Sequence, residues 1–254
     1  GVLMERKLKA VVLAAGKGPR LNPESHDLPK VMRVAAGRPL LAYVLSAIDF
    51  IGAGNTVIVV GYKKEAVISA FPGYTFAEQS EQLGTGHAVM AAAGALSGFD
   101  GSILVCCGDM PLITRETYQA LVDAHFREGN ACTVLSSVTE KPLPFGRIIR
   151  DSGGAFLKIV EEKDCTPEEK AVTELNAGVY VFQAPLLLPA LKKLKNNNAQ
   201  GEYYLTDVPE LLLKQGEKVG VCRRALGEEI VGVNTLEQLH EVERILRARE
   251  GERT

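Results

Sequence analysis

The sequence predicts an α/β fold with a mostly parallel sheet, and three observations support this prediction. Short apolar runs alternate with segments of helical spacing through the first half of the chain. The runs are apolar throughout, as in strands that are covered on both faces. Strands joined through helices favour a parallel sheet sandwiched between helical layers. Ligands of such sheets bind outside the carboxyl ends of the strands.

The elements of the first half follow in order from these patterns. Strands are predicted at residues 9–14, 56–60, 74–77, 102–106 and 131–138. Helices are predicted at residues 40–51, 63–70, 87–96 and 115–128. The alternation of the two sets indicates successive βαβ units.

The second half has more closely spaced strands. Residues 147–150, 155–160 and 175–182 are strand-like, and they predict a small antiparallel extension beside the parallel sheet. Thr166 and Pro167 mark a helix start, because threonine caps a helix and proline fits its first position. Later elements are predicted helices at 185–195 and 207–215, a strand at 219–222 and an amphipathic helix from 235 to about 249.

Composition excludes several classes of protein. The 254 residues are 46% hydrophobic and carry a net charge of −2, so nothing predicts binding to nucleic acid. No apolar run is long enough to span a membrane, and the first residues do not resemble a secretory signal. The five cysteines form no C-x-x-C pair, which favours reduced thiols and a cytoplasmic protein.

The loop after the first strand is rich in glycine and positive charge. Gly16 and Gly18 allow a tight turn with exposed N–H groups, and Lys17, Arg20 and Lys30 add cations. This combination fits a nucleoside triphosphate. The loop is neither a Walker loop nor a dinucleotide fingerprint. A glycine-rich turn with solvated lysines fits it equally well on this evidence alone.

A second loop combines amides and glycines. Gln79 has both a donor and an acceptor for the edge of a pyrimidine base, and Gly84 allows close approach to a ligand. The alternative is a polar loop before a helix that starts at Thr85, with His87 as an ordinary histidine near the helix end.

Two polar residues are candidate metal ligands. Asp109 follows an apolar strand in a glycine turn, and Asn234 lies just before the last helix. Their oxygens suit Mg²⁺, which takes few protein ligands and completes its shell with phosphates and water. The alternatives are a turn aspartate and a helix N-cap asparagine.

Acids and amides also cluster at turns of the second half. The segments concerned are residues 145–147, 161–164, 175–178 and 196–207. Such planar polar groups bind sugar hydroxyls. A charged surface turn and a helix end are the alternatives for residues 161–164 and 196–198.

These motifs together resemble a known enzyme family. In order, the chain reads L-A-A-G-K-G-x-R, D-L-P-K, E-Q-L-G-T-G-H-A, G-D-x-P-L, G-R-I, E-x-K-D, N-x-G, N-N-N-A-Q-G-E-Y-Y-x-T-D and G-V-N. It resembles, over residues 9–243, the uridylyltransferase domain of the bifunctional bacterial enzymes that make UDP-N-acetylglucosamine, a cell-wall precursor. The resemblance implies a Rossmann-like nucleotidyltransferase fold, Mg²⁺ as cofactor, and UTP and an amino-sugar 1-phosphate as substrates.

The resemblance also implies roles for individual residues. Arg20 and Lys30 would hold the triphosphate and act in catalysis, and Asp109 and Asn234 would bind the metal. The implied substrate-binding residues are Ala14, Ala15, Gly16, Gln79, Gly84, Thr85, Gly146, Glu161 and Asn176. A single domain over residues 4–254 would then have a nucleotide half to about residue 140, a sugar half at about 141–234 and a C-terminal helix.

The chain departs from the family pattern at four points. Pro19 replaces a usual threonine, and residues 22–26 lengthen the path from Arg20 to Lys30. Cys107 stands where some members have tyrosine. The sequence shows no hexapeptide repeat, so we expect the acetyltransferase β-helix to be absent or to belong to a longer parent chain, and the oligomeric state stays open.

The resulting expectation is transfer of a uridylyl group from UTP to N-acetylglucosamine 1-phosphate, with release of pyrophosphate. One alternative is another nucleotide or sugar phosphate handled by the same fold. The other is a nucleotide-sugar-binding regulatory domain without catalysis.

Overall fold

A computed structural model describes residues 6–18 and 28–252. Arg20, Pro19 and the segment 22–26 lie outside the described residues. The strands are β1 (Leu8–Leu13), β2 (Val34–Ala35), β3 (Arg38–Pro39), β4 (Thr56–Val60), β5 (Thr75–Glu78), β6 (Ser102–Cys107), β7 (Cys132–Val138), β8 (Arg147–Arg150), β9 (Phe156–Val160), β10 (Glu174–Gln183) and β11 (Val219–Arg223).

The helices follow the strands along the chain. They are α1 (Leu40–Ala47), α2 (Lys64–Ala70), α3 (Thr85–Ala91), α4 (Arg115–Glu128), α5 (Pro167–Lys170), α6 (Ala184–Leu191), α7 (Val208–Lys214) and α8 (Leu236–Glu252). Within the two described ranges, no helix has both the length and the hydropathy needed to cross a bilayer.

One mixed sheet organises the molecule. Its strand order is β11-β7-β10-β6-β1-β4-β5, and β8 and β9 extend it beside β10. Strands β6, β1, β4 and β5 are mutually parallel, whereas β10 is antiparallel to both β6 and β7. The expected α/β fold with a mostly parallel sheet is therefore confirmed.

Helices cover both faces of the sheet. Successive residues of a strand point to opposite faces, so they pack against different helices. On one face, Val12 packs in a cluster with Leu41 of α1 and Leu121 of α4. On the other face, Val11 packs with Val89 of α3 and Leu187 of α6. The continuous apolar strands of the sequence reflect this double cover.

A third, smaller core joins α8 to the rest of the fold. Val242 and Ile245 of α8 pack with Ala35 of β2 and with Leu112. The β2–β3 hairpin follows directly on the single turn of 3₁₀ helix at Lys30–Met32. Through this packing, α8 and the segment that carries Lys30 form one unit.

Several sequence expectations need correction, including the helices expected at 40–51 and 185–195, which end at Ala47 and Leu191. The two-residue strands of the β2–β3 hairpin were not predicted, because they are too short for any period to show. The helix expected at 87–96 begins at Thr85 and ends at Ala91, where a 3₁₀ turn replaces it. Strand β10, expected in a side extension, is inserted between β6 and β7 instead, and only β8 and β9 form the extension.

Candidate active site

The carboxyl ends of the parallel strands lie side by side. Leu13 at the end of β1 is in register with Val59 of β4 and with Cys107 of β6. Val60 is in register with Glu78, the last residue of β5. The loops that follow β1, β5 and β6 therefore meet at one edge of the sheet, where an α/β fold binds its ligands.

A cleft of about 260 Å³, here called the first cleft, opens at this edge. Its lining includes the candidate residues Ala14, Ala15, Gly16, Lys30, Gln79, Gly84, Thr85 and Asp109. The fold thus brings together the described residues that the sequence assigned to the nucleotide and to one metal ligand. Arg20, the other candidate for the triphosphate, lies outside the described residues.

Close packing holds Lys30 at the first cleft. A Cβ atom on Gly18, whose φ is +64°, would lie 2.7 Å from the Cβ of Lys30. A Cβ on Gly108 would lie 2.9 Å from Cγ1 of the neighbouring Val31. Lys30 and Val31 therefore lie directly against the loops after β1 and β6. The longer path between residue 20 and Lys30 does not keep Lys30 away from the cleft.

The loop after β5 is fixed by Gln79 and by glycine packing. Gln79 is only 3% exposed, and its Nε2 donates to the Gly84 carbonyl at 3.3 Å and contacts His87 Nδ1 at 3.0 Å. Gly84 has a φ of +109°, and a Cβ there would lie 2.7 Å from the carbonyl oxygen of Tyr203. Only glycine permits this approach.

Lys30, Asp109 and Asn234 converge on one point. The Lys30 ammonium donates to Asp109 Oδ2 at 2.7 Å and also to Asn234 Oδ1. The side chains of Lys30 and Asp109 are 13% and 26% exposed, so water screens the pair weakly. A single cation thus binds the two oxygens that the sequence singled out as metal ligands.

Asn234 is held by the start of α8 without capping it. Thr235 Oγ1 accepts from the Gln238 backbone N–H at 3.1 Å, which makes Thr235 the capping residue. Gln238 Oε1 accepts from the backbone N–H groups of both Asn234 and Thr235, at 2.7 and 3.0 Å. The N-cap alternative for Asn234 is therefore wrong, and its amide oxygen binds Lys30.

A second cleft of about 200 Å³ adjoins the first. It is lined by the candidate sugar-binding residues Gly146, Glu161 and Asn176. Leu13, Thr85, Cys107 and Asp109 line both clefts, and Asn234 lines the second. The two clefts therefore meet at Asp109.

Glu161 is a partly buried acid in the wall of the second cleft. Burial raises its pKa, whereas a hydrogen bond from Thr206 Oγ1 at 3.0 Å lowers it. The nearby carboxylates of Asp164 and Asp207 raise it further. One carboxyl oxygen of Glu161 accepts the hydrogen bond from Thr206. Hydrogen bonds donated by a ligand would stabilise the ionised carboxylate, which burial disfavours.

Both polar groups of the Asn176 side chain form hydrogen bonds within β10. Its Nδ2 donates to Tyr180 Oη at 2.8 Å, and its Oδ1 accepts from the Gly178 N–H at 3.0 Å. These bonds bridge the register shift of β10 between Asn176 and Tyr180. The fold thereby presents a rigid polar wall at this end of the second cleft.

The asparagine–tyrosine run at 196–207 joins the two clefts. Tyr203 accepts from the Gly86 N–H at 2.7 Å, and the Leu205 N–H donates to Thr85 Oγ1 at 3.0 Å. Tyr204 Oη donates to Asp164 Oδ2 at 2.9 Å, which connects the run to the turn at residues 161–164. These contacts give residues 203–205 a structural role, whereas residues 196–198 lie in the loop after the end of α6, as the alternative for them expected.

Several lining residues were not assigned from the sequence. Gln82, whose Nε2 donates to the Ala15 carbonyl at 3.3 Å, lines the first cleft together with Glu202. Thr206 and Tyr180 line the second cleft. Gln82, Glu202 and Thr206 lie inside motifs that the sequence analysis had identified, so these motifs could have indicated them as lining residues. Tyr180 lies in a buried strand, and nothing in the sequence indicated that it lines a cleft.

A larger groove of about 730 Å³ lies at the opposite end of β1, around Arg6, Leu8 and Phe126. None of the described candidate residues lines it. Its polar pair, Arg6 and Asp123, is an exposed surface salt bridge. The functional candidates therefore remain the two adjoining clefts.

Comparison with known proteins decides the family. Residues 10–207 match the MobA-like NTP transferase domain, a match that covers most of the chain. The chain belongs to the MobA-like NTP transferase domain family. The expectation of a nucleotidyltransferase is thereby confirmed at the level of the family.

Curated relatives of this NTP transferase chain share nearly half of its residues. It is 46% identical over 245 residues to the bifunctional protein GlmU of Geobacter metallireducens, and 44% identical over 243 residues to that of Pelotomaculum thermopropionicum. Each match covers 95% of this chain but only 51% and 52% of the relative. The resemblance drawn from the motifs is confirmed, and the chain spans about half the length of these relatives.

A solved structure supports the NTP transferase fold. A chain from Bacillus anthracis, described as a glucose-1-phosphate thymidylyltransferase in complex with sucrose, has a TM-score of 0.73 to this chain. The match covers 94% of this chain and 95% of that one, at 19% identity. At this identity the likeness concerns the fold alone.

Proposed function

We propose that this protein transfers the uridylyl group of UTP to N-acetylglucosamine 1-phosphate and releases pyrophosphate. One observation carries the proposal: Asp109 lines both clefts, and its carboxylate shares one cation with Asn234. A transfer between two bound phosphates needs a counter-charge where the two substrates meet. Asp109 lies at that junction.

The first cleft suits a pyrimidine nucleotide. Gln79 and Gly84 provide the amide and the backbone groups for a base, and Ala14 to Gly16 provide the loop after β1. Lys30 would neutralise the phosphates from the same cleft, together with Arg20. Cationic groups that are already in place stabilise charge that develops on a leaving pyrophosphate.

The donor set at the junction fits Mg²⁺. Asp109 and Asn234 offer a carboxylate and an amide oxygen, which are hard ligands, and the Lys30 ammonium already binds both. In the described parts of the chain, no group of three or more His, Cys, Asp or Glu side chains is arranged to hold a metal ion. Phosphates and water would therefore complete the shell. Bound there, Mg²⁺ would supply neutralisation of the two phosphates.

The second cleft suits an amino-sugar phosphate. Glu161 is a partly buried acceptor for a hydroxyl or amide N–H, and Gly146 and Asn176 line the same cleft. The bifunctional relatives support this choice of sugar because they are 44–46% identical to this chain over 95% of its length. Cys107, which lines both clefts, would lie beside the attacking phosphate.

The reaction follows from this placement. A phosphate oxygen of the sugar phosphate forms a bond to the α-phosphorus of UTP, and the bond from that phosphorus to the β-phosphate oxygen breaks. The attacking phosphate is already ionised at neutral pH, so no side chain needs to act as a base. Catalysis then depends on positioning and on charge neutralisation.

Pyrophosphate release from a panel of substrates tests the proposal. UTP with N-acetylglucosamine 1-phosphate and Mg²⁺ should give the highest kcat/KM among UTP, CTP, GTP and dTTP, each paired with acetylated and plain hexose 1-phosphates. Asp109→Ala should lower kcat about a hundredfold, since one preorganised charge contact contributes on the order of 3 kcal/mol.

A matched variant separates this loss from a general effect. Asp100 pairs with Lys7 at an exposed position, so Asp100→Ala should leave turnover unchanged. A strong preference for another nucleotide or sugar would replace the substrates in this proposal. Binding of UDP-N-acetylglucosamine without any turnover in Mg²⁺ would favour a regulatory domain instead.

A further inference from the structure

The amide of Gln79 has a defined orientation. Its Nε2 lies 3.3 Å from the Gly84 carbonyl oxygen and 3.0 Å from His87 Nδ1. A carbonyl oxygen only accepts hydrogen bonds, so the atom that faces Gly84 must be the amide nitrogen. The same nitrogen faces His87, and His87 Nδ1 must therefore be the acceptor.

This geometry determines the state of the imidazole. With Nδ1 accepting, the ring is neutral and its proton lies on Nε2. His87 lies in the first turn of α3, directly after the glycine turn that the 196–207 run holds in place. Both acceptors for the Gln79 amide nitrogen are thus fixed by the backbone around them.

The oxygen of the same amide is the group left for a ligand. Gln79 lines the first cleft, and its Oε1 accepts no hydrogen bond from the rest of the described chain. Oε1 is also absent from the fully buried polar atoms that lack a partner within residues 6–18 and 28–252. The amide therefore offers an acceptor to whatever base occupies the first cleft.

An acceptor at this point discriminates between pyrimidines. Uracil carries a hydrogen on N3, whereas cytosine has a lone pair there and an amino group beside it. An amide oxygen can accept from uracil N3–H but opposes the N3 lone pair of cytosine. A flipped amide would present N–H groups and reverse that preference.

We propose that His87 is a positioning residue that selects uracil over cytosine by holding the Gln79 amide in this orientation. The inference rests on the proposed function, because it assumes that the first cleft takes the base. His87 does not touch the base in this account. It acts through Gln79. Without His87, only the longer hydrogen bond to the Gly84 carbonyl, at 3.3 Å, would hold the amide in this orientation.

The test compares the selectivity of two variants. In His87→Phe the ring remains but the acceptor is lost, so the ratio of kcat/KM for UTP to that for CTP should fall about tenfold or more. His87→Asn places an oxygen at the position of Nδ1 and should retain the wild-type ratio. A purely structural role would lower both rates together, leave the ratio unchanged and give no rescue by asparagine.

A spectroscopic measurement on the unaltered protein gives an independent answer. Nitrogen-15 NMR of histidine-labelled protein at neutral pH should show an unprotonated Nδ1 for His87, assigned by its disappearance in His87→Asn. A proton on Nδ1 would overturn the inference even if His87→Phe failed to fold.

The proposed function and this inference fail in different ways. If the wild type uses neither UTP nor CTP, the proposed function is wrong. If the wild type strongly prefers UTP and His87→Phe keeps that preference, only the role of His87 is wrong.

Discussion

At the scale of single residues, the Lys30 ammonium occupies the position between Asp109 and Asn234. It neutralises the carboxylate when no other cation is there, and the weakly solvated pair is stabilised by charge-assisted hydrogen bonds. Any divalent ion that binds the same two oxygens must displace this ammonium. Lys30 would then be free to contact phosphates, which links metal binding to triphosphate binding.

Replacing Lys30 should therefore have opposite effects on metal binding and on turnover. Lys30→Met should bind Mg²⁺ or Mn²⁺ about tenfold more tightly without nucleotide, because no charged hydrogen bonds need to be broken first. Uridylyl transfer should fall about a hundredfold because the phosphates lose a counter-charge. Isothermal titration with the metal alone measures the first effect. Lys7→Met, at an exposed position, is the control, and equal affinities in all three proteins would contradict the prediction.

The sequence predicted these residues but not their arrangement. Asp109 and Asn234 were candidates because of their oxygens and their positions beside strand and helix ends. Nothing in the pattern distinguished Asn234 from Thr235 as the cap of α8, since both residue types cap helices. Gln238, three residues after Thr235, decides it by bonding back to both N–H groups.

At the scale of elements, α8 positions one side of the candidate metal site. Its first turn holds Asn234 through Gln238, and its apolar face packs on the β2–β3 hairpin that follows Lys30. Glu243 of α8 also accepts from the Ala36 N–H at 3.1 Å. The helix thus fixes Asn234 and Lys30 relative to each other from outside the clefts.

Gln238→Ala should weaken metal binding more than it weakens the fold. Loss of a capping interaction lowers stability by about 1 kcal/mol, but here it also frees the backbone of Asn234. We expect the Mg²⁺ concentration for half-maximal activity to rise about tenfold, with kcat at saturating Mg²⁺ nearly unchanged.

Helix α5 provides the matched control for Gln238→Ala. Glu169 occupies the corresponding position of the capping box at Thr166, and α5 contributes no residue to the lining of either cleft. Glu169→Ala should lose similar stability by thermal unfolding and keep the wild-type Mg²⁺ dependence. The same Mg²⁺ dependence in Gln238→Ala would show that α8 does not position the site.

Sequence reasoning worked for elements with a clear period and failed for those without one. Helix α4 is predicted from its helical spacing at the residues it occupies, and the structure shows Thr114 capping its start and Gly129 at its end. The β2–β3 hairpin escaped prediction because a strand of two residues shows no alternation. The end of α3 was also wrong, since small alanine and glycine residues around position 92 show no break in helical spacing.

At the scale of the molecule, β10 makes the two clefts parts of one sheet. It pairs with β6, which ends at the first cleft, and with β7 and β8 on its other side. Its own residues Asn176 and Tyr180 line the second cleft. The sequence predicted this strand as antiparallel but placed it in the side extension, because an apolar run fits a buried strand at any position in the sheet.

Two ionisable groups, one buried and one partly buried, affect the stability of the whole molecule in opposite ways as the pH changes. Burial, with a smaller effect of Glu210 and Asp164, raises the pKa of Asp207 to about 6. Its contribution to stability is fully present at low pH and is lost as the pH rises through 6. Burial lowers the pKa of His125 to about 4, so its contribution has the opposite sign. Because the two contributions change in opposite directions with pH, the stability of the wild type alone does not reveal either contribution.

A His125 variant separates these contributions. The ring is 2% exposed, and its nitrogens contact Thr133 Oγ1 at 2.8 Å and Ser102 Oγ at 3.0 Å. In the unfolded chain it binds a proton near pH 6.5, but in the fold only near pH 4. The fold therefore loses stability as the pH falls through this window, by about 3 kcal/mol in total.

His125→Gln should remove this pH dependence, although it lowers stability at neutral pH. Urea unfolding between pH 7 and 4 should show the wild type losing about 3 kcal/mol more than the variant, because only the wild type must bury an imidazole that the unfolded chain protonates. His240→Gln, an exposed change on α8, should follow the wild-type curve. Parallel curves for wild type and His125→Gln would mean that the imidazole takes up a proton in the fold as readily as in the unfolded chain, with both hydroxyl partners accepting from the charged ring.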